Sequence, residues 1–153
     1  MLPKNFYICS GYGIADTVLN SFDNALYKCG IGDYNHIAVS SILPPLCMHQ
    51  TSVNLPKGSL LYSAYSHITS NDFGKTISAT VAVGIPIDEN ENGVIMEHAG
   101  FFSKEDVEYT VRNMALSAME MRKIKLREII IKSATLAITN EKQHTAFACI
   151  SMW

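Results

Sequence analysis

The chain carries little charge and few of the patterns that usually mark catalysis. Only 17% of its 153 residues are Asp, Glu, Lys or Arg, and the net charge is −2. A nucleic-acid surface needs a basic stripe, so no nucleic-acid partner is expected. No run of 18 apolar residues occurs, so no membrane-spanning helix is expected either. The four cysteines, Cys9, Cys29, Cys47 and Cys149, are scattered without a CxxC pair. That argues against a disulfide framework or zinc site and for buried thiols in a reducing compartment. His36, His49, His67, His98 and His144 lack metal-ligand spacing, so no metal site is expected. P-loop, GxSxG, HExxH and GxGxxG motifs are all missing. The opening MLPKNFYICSGYG has no basic region followed by a long apolar stretch, which makes it a poor signal peptide. The expectation is a soluble, cytoplasmic domain.

What is present is apolar surface: 48% of residues are hydrophobic, enough for one sizeable core. Residues 5–10 (NFYICS) predict a short strand ended by the glycines of GYG. Leu19, Phe22, Leu26 and Cys29 recur at helical spacing, with Asp16 or Thr17 as cap and Gly30 as stop. Residues 34–41 are β-rich, and 46–58 predict a loop. Residues 59–70 and 76–87 are long β-type runs separated by Asn71-Asp72-Phe73-Gly74, which predicts a hairpin turn. A further strand is expected at 94–98. Ser103 and Asp106 have capping-box spacing before a helix with Val107, Val111, Met114, Ala115 and Ala118 on one face. Strands over 128–138 and 145–153 close the chain. The pattern predicts an α+β fold, an αββα-type sandwich of mostly antiparallel sheet with two main helices. The Ala-rich strands are apolar on both faces, and two helices are thin cover for them. Sheet-on-sheet packing or oligomerisation is the expected remedy.

The polar residues that do not fit this pattern are few. Ser40-Ser41 interrupts a strand before Pro44-Pro45, Asn35 precedes the pair, and Glu97 sits in an apolar run, GVIMEHAG. Adjacent serines have their own chemistry. In a strained turn the second hydroxyl attacks the preceding carbonyl and converts the peptide bond to an ester. Elimination then cleaves the chain and leaves a dehydroalanine, which hydrolyses to an N-terminal pyruvoyl group. Such a ketone condenses with amines and accepts electrons from a breaking Cα–carboxylate bond, the part pyridoxal phosphate plays elsewhere. On the residues alone, a polar turn at Ser40-Ser41 is the more ordinary alternative. Asn35 is equally compatible with a turn after Gly32-Asp33. Glu97 is compatible with an edge-strand carboxylate facing water, and Asp23 with an exposed helix aspartate.

Three segments, LNSFDNALYKCGIGDYNHIAVSSILPP (19–45), HITSNDFGKTISATVAVGIP (67–86) and GVIMEHAG (93–100), resemble the pyruvoyl-dependent arginine decarboxylases. The resemblance continues through TVRNMALSAMEMR and AFACISMW, in order and over nearly the whole chain. It implies a single domain over 1–153, cleaved between Ser40 and Ser41 into a β chain (1–40) and an α chain (41–153) capped by a pyruvoyl group derived from Ser41. It implies decarboxylation of L-arginine to agmatine, with Asn35 as oxyanion donor in self-cleavage and Glu97 as the acid that reprotonates the substrate carbon. Asp23 matches the residue that holds the guanidinium. Leu19, Leu26, Gly32, Tyr34, Ile95 and Met96 lie on the elements expected to line the pocket. The family forms trimers with sites between subunits, so a homotrimer or dimer of trimers is implied. His36 stands where an apolar residue is expected, and Tyr34 is bulkier than expected beside a substrate. The alternatives are a decarboxylase of another amino acid and an unprocessed, non-catalytic oligomeric homologue.

Overall fold

The computed structural model describes residues 2–153. Nine strands and two helices follow in the order β1 (Asn5–Ala15), α1 (Val18–Lys28), β2 (Asn35–Ala38), β3 (Ile42–Leu43), β4 (Met48–His49), β5 (Leu60–Ser70), β6 (Thr76–Pro86), β7 (Gly93–Gly100), α2 (Lys104–Met121), β8 (Leu126–Ala137) and β9 (Gln143–Met152). They build two sheets, β2-β5-β9-β1-β4 and β3-β7-β6-β8, packed face to face. Helix α1 covers the outer face of the first sheet and α2 that of the second, giving a four-layer sandwich of the expected α+β class. Two strand pairs, β1/β4 and β2/β5, are parallel and the rest antiparallel. Among the described residues, no helix is long and apolar enough to cross a membrane.

Strand periodicity assigns the layers. On β9, Ala146, Ala148, Ile150 and Met152 enter the core between the sheets, whereas Phe147 and Cys149 meet α1. On β6, Ile77, Ala79, Val81, Val83 and Ile85 face the first sheet, and Ala82 faces α2. Both strands are therefore buried along almost their whole length. Helix α1 starts at its Thr17 cap, whose side chain accepts the Asn20 N–H, and Gly30 follows its end at φ +73°. Ser103 caps α2 by accepting the Asp106 N–H, and at the other end Arg122 donates to the Ala118 carbonyl at 3.0 Å.

Several expectations change. The glycines of GYG do not end β1, which pairs with β9 through Ala15. They lie under α1: a Cβ on Gly13 would sit 2.0 Å from the Ser21 carbonyl oxygen and 2.7 Å from the Ala25 nitrogen. Asn71–Gly74 is not a hairpin turn, because β5 and β6 belong to different sheets and the turn carries the chain across the sandwich. The segment 46–58 contains the two-residue β4, paired with Asn5 and Phe6. The β-rich stretch 34–41 stops at Ala38, and its continuation, β3, joins the other sheet. Met114 is exposed on α2, and Met119 takes a buried place on its inner face. The two helices and the mutual packing of the sheets cover most of the central strands, and apolar side chains stay exposed on the helices (Leu19, Tyr27, Tyr109) and around β2 (Ile37, Leu60, Tyr62).

Candidate active site

Ser40 and Ser41 are the bridge between the sheets. On one side the Val39 N–H donates to the Ser63 carbonyl of β5 at 3.1 Å; on the other the Ile95 N–H of β7 donates to the Ser41 carbonyl at 2.8 Å. Between these anchors the Ile42 N–H donates to the Ser40 carbonyl at 3.1 Å, closing a three-residue turn centred on Ser41. The peptide between the serines is thus held from both sheets, and its carbonyl is already polarised by a backbone donor. Pro44 and Pro45 stiffen the exit through their fixed φ. Leu46 follows at φ 59°, a left-handed conformation unusual for leucine.

The strand-edge alternation decides where Glu97 points. Ile95 and Ala99 face the layer between the sheets, Val94 and Met96 pack on the α2 side, and Glu97 shares the parity of Ile95. Its Oε2 is buried without a hydrogen-bond partner, and burial raises its pKa above the ordinary carboxylate value. It is an edge-strand carboxylate, half-buried, with Oε2 shielded from water.

A cleft of about 450 Å³ opens beside it, lined by Ala38, Val39, Ser63, Tyr65, Ser66, His67 and Glu97. It exists because β2 leaves β5 after Ser63, so the next part of the β5 edge has no strand beside it. Ser66 fixes the width of this gap. Its hydroxyl bonds the carbonyls of Thr80 (2.9 Å) and His98 (3.1 Å) in the opposite sheet and accepts the Thr80 N–H at 3.2 Å. A second cavity, about 400 Å³ between Leu43–His49 and the Pro86–Gly93 turn, contains none of the predicted residues.

The remaining predicted residues do not line this cleft. Asn35 starts β2, and a rise of about 3.3 Å per residue puts roughly 10 Å between it and Ala38. It is exposed, and its side-chain amide donates to the Gly58 carbonyl at 2.8 Å, away from the Ser40 carbonyl of its own chain. Asp23 is exposed on α1, Leu19 is 75% exposed, and Leu26 is half-buried. Leu19 and Leu26 share a flank of α1 with Phe22, whose ring meets His67 edge-on at 5.0 Å. Gly32 lies against Tyr27, with no room for a Cβ, and the Tyr34 hydroxyl reaches the carbonyls of Val53 and Leu55. Of the other two, Ile95 is fully buried between the sheets and Met96 faces α2. His36, unexpected from sequence, ties β2 down: Nδ1 is 2.9 Å from the Ser63 hydroxyl and Nε2 is 3.0 Å from the Ile31 carbonyl.

Ser63, Tyr65, Ser66 and His67 were not singled out from sequence as site residues. The polar residues recurring through an otherwise apolar strand, SLLYSAYSHITS, were the available signal.

Comparison with known proteins places this geometry in context. A family model described as pyruvoyl-dependent arginine decarboxylase matches residues 5–152. Proteins named pyruvoyl-dependent arginine decarboxylase are similar along 99% of the chain: that of Methanocaldococcus jannaschii is 41% identical, covering 91% of the relative, and that of Pyrococcus abyssi is 38% identical, covering 96%. Among solved structures, a pyruvoyl-dependent histidine decarboxylase at pH 8 shares the fold with TM-score 0.53 and 15% identity, over 65% of this chain and 52% of that one.

Proposed function

Because the chain belongs to the pyruvoyl-dependent arginine decarboxylase family, we propose that it cleaves itself between Ser40 and Ser41 and then converts L-arginine to agmatine and carbon dioxide. The observation that carries the proposal is the two-sheet clamp on the Ser40–Ser41 peptide beside the desolvated carboxyl of Glu97. In self-cleavage, Ser41 Oγ adds to the Ser40 carbonyl carbon, and the Ile42 N–H stabilises the charge that develops on the oxygen. The C–N bond breaks to give the ester. Loss of the Ser41 α-proton then expels the Ser40 carboxylate as the end of a 1–40 chain. Hydrolysis of the new N-terminus of 41–153 releases ammonia and leaves the pyruvoyl group. Strands β2 and β3 stay in their own sheets through β5 and β7, so the break leaves the fold intact.

The position suits a pyruvoyl group, since the Ser41 carbonyl is fixed by Ile95 and the adjoining cleft is open to a small molecule. When in place, the group supplies the electron sink for loss of carbon dioxide from the bound amino acid. Glu97 keeps a proton on its buried carboxyl and gives it to the carbon that has lost carbon dioxide. Tyr65 supplies an apolar wall, with Phe22 packed behind it. Asp23 accepts the guanidinium, in charge-assisted bonds worth about 1.5–3 kcal/mol each. In one chain Asp23 and Asn35 are exposed and outside the cleft lining, in keeping with a homotrimer whose sites combine residues of two subunits. Arginine-dependent release of carbon dioxide and agmatine by the purified, cleaved protein tests the reading; cleaved protein that leaves arginine untouched would refute it.

A further inference from the structure

We propose that His67 is the proton-delivery residue of this site, taking a proton from water and returning it to Glu97 after each turnover. The proposal rests on the function given above. Decarboxylation leaves one more C–H bond on the product than on the substrate, so one proton is consumed per cycle. Glu97 delivers it and is left as a carboxylate whose Oε2 is out of water and without a partner. That state is costly, and the next cycle waits until it is neutralised.

The cleft contains one group suited to the task. His67 and Glu97 line it from opposite sheets, His67 on β5 and Glu97 on β7. The His67 imidazole is open to solvent on one side and makes no hydrogen bond among the described residues, while Phe22 holds it edge-on at 5.0 Å and Tyr65 lies 6.0 Å away. Around it, its own strand presents the Tyr65 phenol, β7 the Glu97 carboxyl and α1 the uncharged Phe22, with Asp23 exposed on the same helix. Partial burial lowers the His67 pKa, so the imidazole gives up a proton readily. Once Glu97 is ionised, the opposite charge favours imidazolium. The proton then passes on, and both groups return to their resting forms. His67 acts through Glu97, so its loss slows proton return without preventing self-cleavage.

The experiment compares wild type with His67→Asn and His67→Phe, the second preserving an aromatic ring beside Phe22. Complete self-cleavage by intact mass, an unchanged KM for arginine and kcat lower by about 10–100-fold are expected, within the usual scale of proton-transfer catalysis. The deficit should widen with rising pH and be relieved by added imidazole. NMR titration of the His67 ring provides a readout that needs no turnover. Its midpoint should be the same in Glu97→Gln, because the resting Glu97 carboxyl is uncharged while His67 titrates. Unchanged kcat and pH profile in both His67 variants, with wild type active on arginine, would overturn the proposal and leave the decarboxylase reading standing. A His67 midpoint that falls in Glu97→Gln would reveal a charged Glu97 in the resting site and overturn it too. Cleaved wild type inert towards arginine would instead remove the function on which the proposal rests.

Discussion

At Glu97 a single carboxyl brings together the chemistry and the stability of the site. Its raised pKa means that folding favours the protonated form. The native state then holds more protons than the unfolded chain between the two pKa values, so stability falls as pH rises through that window. It is greatest below the unfolded value and levels off above the folded one. Glu97→Gln should flatten this decline, as followed by denaturant unfolding from pH 4 to 8. The same variant should cleave itself normally yet lose at least about 100-fold in kcat, the range expected for removing a positioned acid. In wild type, activity should decline as pH rises through the Glu97 pKa. Normal turnover by Glu97→Gln would remove Glu97 from the chemistry. This residue was legible in the sequence because a lone acid in GVIMEHAG breaks an apolar pattern. His67 was not, since one histidine among five carries no spacing signal and gains its meaning only from the cleft around it.

At the level of elements, close contacts of the backbone position the site. Helix α1 rests on β1 because Gly13 has no side chain there, and Gly13→Ala would drive a methyl into the Ser21 carbonyl. A loss of about 1–3 kcal/mol or more in urea unfolding is expected, the cost of overpacking a close contact. Ser66→Ala would break the staple between β5 and the opposite sheet, at a cost of about 0.5–1.5 kcal/mol per hydrogen bond lost. Because Glu97 adjoins His98, whose carbonyl that staple holds, kcat should fall more than the melting temperature alone would suggest. Helix positions and strand periodicity were legible from local pattern. The role of the GYG glycines was not, because a close approach by a distant helix looks locally like a strand terminator. The Asn71–Gly74 turn was misread for a related reason: a local turn signal does not say whether the strands it joins pair or face each other.

For the whole molecule, the central feature is a chain that changes sheets at Ser40-Ser41. Sequence periodicity showed strands covered on both sides, but the partition into two sheets depends on long-range pairings such as β2 with β5 and β3 with β7. Periodicity alone does not carry that information. The two groups of site residues give a test of assembly. Chains carrying Asp23→Asn and chains carrying Glu97→Gln should each be inactive alone and recover activity when co-expressed, because a shared site then pairs one intact half from each. Mixed oligomers without activity would place the whole site in one subunit. The most direct measurement is the intact mass of the purified protein under denaturing conditions, beside Ser41→Ala. We predict two wild-type chains, 1–40 and 41–153, the larger with the mass of an N-terminal pyruvoyl group, and one uncut Ser41→Ala chain. A single wild-type chain of 16.9 kDa that never matures would contradict the account.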